Sequence, residues 1–214
     1  MDSRHAGTGY LALPERGDGP GILVLHAWWG LTQVVKDFCD RLADEGFVAL
    51  APDLFGGRLA ATIEAAEQEL AQVDPNELAH LTRSSLSALH EMPMTPDAPL
   101  GVVGFSMGAS MALWLSARVP EVVAATTVFY GTQDIDFQSS RSAYLGHFAE
   151  VDPYVDDDSV ALLEAELRLD ELDVAFHRYA GTQHWFFESD RPEYDEAAAG
   201  LAWDRTLAFL RQRL

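Results

Sequence analysis

Positive charge is scarce in this chain. Its 214 residues include 14 lysines and arginines against 34 aspartates and glutamates, which gives a formal net charge of −20, and Lys36 is the only lysine. Nucleic acids and anionic membranes bind through clustered positive charge, so neither is expected as a partner. The excess of acid fits either adaptation to high salt or a merely acidic surface, and the sequence leaves both open.

Cysteine and long apolar runs are lacking as well. Cys39 is the only cysteine, which excludes an internal disulfide and a cysteine-built metal site. Its neighbours are apolar at helical spacing, so we expect a buried thiol. No run approaches the ~18 apolar residues of a membrane helix. The N-terminus, Met1 to His5, is polar and has no apolar signal core, so we expect a cytoplasmic protein.

What the chain does contain is an alternation of apolar runs and helical patterns. The predicted strands are Gly21–His26, Phe47–Ala51, the run before Ser106, Val122–Tyr130, Tyr144–Phe148 and Val174–Tyr179. The predicted helices are Thr32–Gly46, Ala60–Val73, a segment from Asp74 to before Pro93, Ala109–Arg118, Ser159–Leu169 and Asp195–Leu214. This order predicts one α/β domain over residues 1–214, with a mostly parallel sheet and helices on both faces.

The most informative motif follows the third of these runs. Gly104-x-Ser106-x-Gly108 lies between an apolar strand and a helical segment. A serine there must take a sharp turn, and glycines two before and two after let the backbones approach. The pattern is that of a nucleophile elbow, which predicts an α/β-hydrolase fold with Ser106 as the nucleophile.

A serine hydroxyl needs a base to remove its proton, and in this fold the base comes last in the chain. His184 follows the final predicted strand, at the sheet edge where ligands bind, so it is the predicted base. His177 falls inside that strand, and His147 is a third possibility.

The base in turn needs a carboxylate to orient it. Asp152 follows the strand that precedes the last one and is the leading candidate, with Asp134 second and Glu150 weaker. The three aspartates at 156–158 are typical of a charged helix start, and they lack the histidine partner of a metal site. No metal and no cofactor are predicted.

An oxyanion needs two backbone N–H donors. Met107, at the start of the helix after the serine, is one candidate, and Trp28, or failing that Ala27, is the other. His26 is expected to shape this loop rather than act as a base. Several aromatic residues at predicted strand ends are expected to line an apolar pocket, namely Trp29, Phe55, Tyr130, Tyr154, Trp185 and Phe186.

With these motifs in place, the chain resembles the dienelactone hydrolase family. The resemblance covers nearly the whole domain and depends on several segments together. These are His26-Ala-Trp-Trp-Gly30, Gly46 to Leu54, Gly104 to Ala109, Gly146 to Tyr154, Gly181-Thr-Gln-His184 and Ala202 to Leu210. The family's acid and base fall on Asp152 and His184, and the resemblance implies cofactor-free hydrolysis of an enol-lactone or small carboxylic ester through an acyl-enzyme.

Three positions depart from the family's pattern. Its best-known members use a cysteine where this chain has Ser106. The glutamate that poises that cysteine would fall on Ala27. An arginine that holds the dienelactone carboxylate would fall on Glu188, where an acidic residue would repel an anionic substrate. We therefore expect a serine esterase or lactonase acting on a neutral ester or lactone.

Two other functions share the same residues. A thioesterase or acyltransferase would use the same machinery, because specificity depends on pocket shape. A catalytically silent binding protein on the hydrolase fold is the other alternative. In each case the expected partner is a small molecule, and the protein is expected to be a monomer or a weak homodimer.

Overall fold

The computed structural model of the protein describes residues 9–214. The polar N-terminal segment on which the expected absence of a signal core depended lies outside these residues. Within the described part of the chain, no helix is long and apolar enough to cross a membrane.

A seven-stranded sheet forms the centre of the molecule, in the order β1-β3-β2-β4-β5-β6-β7. Among the described strands, β1 pairs with β3 in antiparallel fashion, and the other five neighbouring pairs are parallel. The strands are β1 (Gly9–Ala12), β2 (Gly21–Leu25), β3 (Val48–Pro52), β4 (Leu100–Phe105), β5 (Val123–Phe129), β6 (Ala143–Val151) and β7 (Val174–Gln183). The mostly parallel sheet confirms the predicted fold class.

Within residues 9–214, six helices cover the sheet. They are α1 (Gln33–Asp44), α2 (Ile63–Leu70), α3 (Pro75–His90), α4 (Met107–Arg118), α5 (Asp157–Leu169) and α6 (Glu196–Arg213). Four begin at a side chain that accepts a backbone N–H of the first turn, which satisfies a donor that the helix leaves free; these caps are Thr62, Asp74, Asp156 and Asp195.

Alternation along the strands divides the core between the two faces of the sheet. In β2, Ile22 and Val24 pack on one side, with apolar residues of α1 and α6. Leu23 and Leu25 pack on the other, with α3, α4 and α5. Because successive side chains of a strand point to opposite faces, a fully apolar run such as β2 requires helices on both.

One strand was missed in the sequence, and two predicted elements are corrected. The strand β1 was not predicted, because four residues at a sheet edge give too short a pattern to detect. The helix predicted over Ala60–Val73 is limited to Ile63–Leu70. The last strand does not end at Tyr179: it continues to Gln183 through an irregular register, where Gln183 pairs with Val151.

Candidate active site

Ser106 occupies a strained turn between β4 and α4. Its φ of 51° and ψ of −114° are rarely adopted by a side-chain-bearing residue. A Cβ on Gly104 would overlap the carbonyl of Gly108, and one on Gly108 would overlap the carbonyl of Leu25. The Ser106 N–H donates to the carbonyl of Phe129, at 2.9 Å. The two glycines therefore permit a turn that holds the serine at the carboxyl end of the sheet.

His184 lies directly after β7 and faces this serine. Its Nε2 is 2.9 Å from Ser106 Oγ, and its Nδ1 is 2.7 Å from Asp152 Oδ2. The Asp152 side chain is 5% exposed and that of His184 is 2% exposed. The other carboxylate oxygen of Asp152 accepts the N–H groups of Tyr154 and Val155, at 2.8 and 3.0 Å. The aspartate is thus fixed by its own loop, and three side chains from separate strand ends form one hydrogen-bonded chain.

The competing acids have other surroundings. Asp134 is exposed in the loop after β5, and Glu150 accepts the N–H of Gly181, at 2.7 Å. Neither is hydrogen-bonded to His184, whose Nδ1 is bonded to Asp152.

The two other candidate bases, His147 and His177, contact residues of the sheet and of α6 rather than Ser106. The ring of His147 is completely buried between Tyr179 and Thr206, whose hydroxyls lie 2.7 and 3.0 Å from its two nitrogens. Burial holds the pKa of His147 well below its ordinary value. His177 lies within β7, half-buried, and stacks on His147.

The loop after β2 lies against the start of α4. The positions of the Leu25 and His26 carbonyls, close to Gly108, bring this loop beside the serine turn. Among residues 9–214, no protein acceptor takes the N–H of Met107 or of Trp28. His26 is buried: its Nδ1 is 2.7 Å from the Ala27 carbonyl oxygen, and its Nε2 accepts the N–H of Leu54, at 3.0 Å. Burial lowers the pKa of His26, which favours the neutral imidazole. Its two hydrogen bonds connect the loop after β2 to the loop after β3.

Three aromatic side chains surround the His184 imidazole, and a fourth packs on two of them. Tyr130, Tyr154 and Trp185 have ring centroids 4.8, 4.9 and 4.8 Å from it, and Trp28 packs on both Tyr154 and Trp185. Trp185 has φ of 67°, the left-handed region that side chains rarely adopt. Within residues 9–214 the buried indole N–H groups of Trp28, Trp29 and Trp185 have no acceptor. The histidine is therefore held by packing on several sides.

A cleft of about 670 Å³ opens between the loop after β3, the connection between α2 and α3, and helix α3. Its apolar lining includes Leu54, Phe55 and Leu78, which form the small core cluster against which Met107 packs. The polar part of the lining comes from Arg58, which is paired with Glu69, from Gln72 and from side chains of α3.

The six aromatics expected to line a pocket are divided among this cleft, the core and the surroundings of His184, and the pocket assignment stays a prediction. Of the six, Phe55 lines the cleft. Tyr130 and Phe186 are completely buried and pack on each other in the core, and Trp29 and Trp185 are nearly so. Tyr154 is 45% exposed and covers the histidine. Sequence position at a strand end does not distinguish a pocket wall from packing around the histidine.

Comparison with known proteins decides the family. The family model "Dienelactone hydrolase family" matches residues 8–214. The chain belongs to the dienelactone hydrolase family. With this membership the protein is a carboxylic ester hydrolase.

Individual relatives are similar to this chain over nearly all of their length. "Protein usf" from Aquifex pyrophilus and the "Putative carboxymethylenebutenolidase" of Aquifex aeolicus are each 32% identical over 216 residues, covering 96% of this chain and 93% of the relative. The crystal structure of a dienelactone hydrolase-like promiscuous phosphotriesterase from metagenomic libraries has a TM-score of 0.85. At 24% identity, with 96% of this chain and 92% of that chain covered, it shows a shared α/β-hydrolase fold.

Two of the positions that depart from the dienelactone hydrolase pattern are buried. Ala27 is 2% exposed and offers no carboxylate. Glu188 is also 2% exposed, and its Oε1 accepts the hydroxyl of Tyr130, at 2.9 Å. Burial raises the pKa of Glu188 to about 8. The side chain is therefore turned inward, and burial disfavours the charge on which the expected repulsion of an anionic substrate depended.

The Tyr130–Glu188 bond is the feature that sequence reasoning missed. In the sequence, Tyr130 is an aromatic residue at a predicted strand end, and Glu188 is the position where the family's arginine would fall. No signal connects two side chains that lie 58 residues apart.

Proposed function

We propose that the protein is a serine hydrolase that cleaves a small, neutral carboxylic ester or lactone through an acyl-enzyme on Ser106. The observation that carries the proposal is the hydrogen-bonded chain from Ser106 Oγ through His184 to Asp152 Oδ2, built on the strained turn after β4. Nucleophile, base and orienting acid come from three separate strand ends. Their hydrogen-bonded order, serine to histidine to aspartate, is what acyl transfer by a serine requires.

The first half of the reaction forms the acyl-enzyme. His184 Nε2 takes the Ser106 proton as Oγ attacks the carbonyl carbon, and Asp152 stabilises the imidazolium that results. The negative charge on the former carbonyl oxygen is held by the N–H groups of Met107 and Trp28, each worth about 3 kcal/mol in the transition state. His184 then gives its proton to the departing alkoxide, and the C–O bond of the ester breaks.

Water completes the second half. It loses a proton to the neutral His184 as its oxygen attacks the acyl carbon. Collapse of this second tetrahedral intermediate returns the proton to Ser106 Oγ and releases the carboxylic acid. For a lactone, the alkoxide and acid are two ends of one product.

The cleft next to Met107 is proposed to hold part of the substrate. Its volume of about 670 Å³ is in the range of small-molecule sites, and its apolar lining favours an uncharged group. The one arginine in its lining is paired with Glu69, so the cleft offers an anionic substrate little free positive charge. This supports a neutral ester or lactone over the carboxylate-bearing dienelactone.

Hydrolysis kinetics test the proposal. p-Nitrophenyl acetate and butyrate are compared in wild type, Ser106→Ala and Ser110→Ala. Ser110 lies one turn further along α4 and donates to the Thr132 carbonyl, so it is a matched serine outside the reaction. We expect kcat to fall by at least about a thousandfold in Ser106→Ala and to stay near wild type in Ser110→Ala. Equal rates in wild type and Ser106→Ala would reject the serine mechanism.

A further inference from the structure

Glu188 is a buried acid that the proposed reaction does not use. It is 2% exposed and lies four residues beyond His184. Its backbone N–H donates to the Trp185 carbonyl, at 2.9 Å, which closes a turn directly after the histidine. A buried carboxyl group without a role is costly, so its single side-chain partner within residues 9–214, Tyr130, requires an explanation.

Tyr130 connects this turn to the nucleophile. Its backbone N–H donates to the His147 carbonyl, at 2.7 Å, and its φ of 39° is strained. Ser106 donates its N–H to the carbonyl of the preceding residue, Phe129. A Cβ on the following residue, Gly131, would lie 2.6 Å from the Ser106 carbonyl oxygen. The segment 129–131 therefore packs tightly against the serine turn.

The tyrosine ring completes the link. Its centroid lies 4.8 Å from that of the His184 imidazole, and its hydroxyl donates to Glu188 Oε1, at 2.9 Å. The Tyr130–Glu188 hydrogen bond thus connects the loop that carries His184 to the end of β5, which packs against the Ser106 turn. Loss of this tie would free the ring that covers one side of the imidazole.

We propose that Glu188 is a positioning residue, which acts through Tyr130 to hold His184 at hydrogen-bond distance from Ser106. The role needs an acceptor at the end of the 188 side chain and a hydroxyl on residue 130. It does not need a negative charge. The proposal rests on the proposed function, because it assigns Ser106 and His184 as nucleophile and base.

The electrostatic surroundings of Glu188 favour an uncharged acceptor. Asp190 and Glu193 lie on its own loop and disfavour the charged form, whereas Arg191 favours it and is paired with Asp190. From the neighbouring strand ends, Tyr130 donates to it and Asp152 lies close enough to act on Tyr130. Burial, the largest influence, raises the pKa of Glu188 to about 8. A glutamine, with a neutral acceptor of the same length, is therefore the conservative replacement.

The reactivity of Ser106 towards a p-nitrophenyl phosphonate tests this role without requiring the natural substrate. The pseudo-first-order rate of labelling is measured in wild type, Glu188→Gln, Glu188→Leu and Tyr130→Phe. A double variant, Tyr130→Phe with Glu188→Leu, replaces both partners by apolar groups and leaves no unpaired polar atom, so it should fold even where a single variant does not. Tyr144→Phe is the matched control, because Tyr144 is equally buried and bonded to Ser116 and Ser140 on the other face of the sheet.

We expect labelling to slow by about tenfold or more in Glu188→Leu, Tyr130→Phe and the double variant, since small misplacements of a catalytic pair are costly. Glu188→Gln should stay within about threefold of wild type, as should Tyr144→Phe, whose loss of a buried hydrogen bond affects stability alone. With an ester substrate the same variants should lower kcat and leave KM nearly unchanged.

Two results would reject the positioning role of Glu188 and leave the serine mechanism standing. Wild-type labelling rates in the double variant would show that the tie is not needed, and a Glu188→Gln rate as low as that of Glu188→Leu would show that the acceptor is not what matters. A wild type that labels no faster than Ser106→Ala would instead reject the serine mechanism, and the positioning role with it.

Discussion

At the scale of single residues, hydrogen-bond partners separate the groups that form the site from those that do not: His184 and Glu188 are equally buried, but only His184 reaches Ser106. Ser106, His184 and Asp152 could be selected from the sequence, because motif and chain order place them at strand ends. The Tyr130–Glu188 bond could not, since the direction of a side chain depends on packing between distant segments. The same limit applies to Glu188, whose acidic side chain is visible in the sequence but whose burial is not.

Glu188 makes stability depend on pH in a predictable direction. The folded protein keeps its proton up to about pH 8, whereas the ordinary pKa of 4.5 means that the unfolded chain releases it earlier. The unfolded state therefore binds fewer protons between these values, and stability falls as pH rises from about 4.5 to 8, by up to a few kcal/mol. In thermal unfolding, the advantage of Glu188→Gln over wild type should be small at pH 5 and largest near pH 8.5. A difference independent of pH would contradict the raised pKa.

Cys39 gives a second prediction at this scale. Its side chain is completely buried in α1, and burial raises the pKa of the thiol far above its ordinary value. Because the thiolate is the reactive form, iodoacetamide should leave native esterase activity unchanged and should modify Cys39 only after unfolding. Rapid inactivation of wild type, abolished by Cys39→Ala, would contradict both the burial and the serine assignment.

At the scale of elements, the alternation of strands and helices was predictable because buried parallel strands are apolar throughout. The exceptions have physical causes. The four residues of β1 are too few to show a pattern, and Ala180 to Gln183 read as a loop because Gly181, with φ of 76°, interrupts the strand pattern. The serine turn is the element on which the site depends most, since its geometry requires glycine on either side.

A methyl group at Gly108 should therefore disturb both fold and activity. In Gly108→Ala the new Cβ meets backbone carbonyls of Leu25 and His26, which cannot move without shifting β2. We expect a loss of about 1–3 kcal/mol, or several degrees in Tm, together with a marked loss of kcat. The matched control is Gly200→Ala in α6, where a Cβ meets nothing within 4 Å. That change should stabilise by about 0.5–1 kcal/mol and leave kcat unaltered. Equal effects of the two substitutions would refute the steric account.

At the scale of the whole molecule, the net charge of −20 is the dominant feature. Ion pairs such as Arg168–Glu164 and Arg141–Glu121 lie at the surface, where each is worth at most about 1 kcal/mol. Repulsion among the excess carboxylates acts against the compact state and is screened by salt. Because this repulsion outweighs the weak surface ion pairs, we expect salt to stabilise the protein.

Unfolding midpoints test that balance. Between about 0.01 and 1 M NaCl, Tm should rise by several degrees as the screening length shortens from about 30 to 3 Å. Sucrose of matched osmolality serves as the uncharged control and should not reproduce the steep rise at low concentration. A Tm that salt leaves unchanged or lowers would show that the acidic surface carries no salt-dependent cost.

The central claim, that Ser106 is the nucleophile activated by His184, is tested most directly by mapping a covalent adduct. After reaction with a p-nitrophenyl phosphonate, peptide mass spectrometry should find one stable adduct per chain, on the peptide that carries Ser106. His184→Ala should slow its formation by orders of magnitude, and Ser106→Ala should abolish it. An adduct on another residue, or equal labelling in wild type and His184→Ala, would contradict the account.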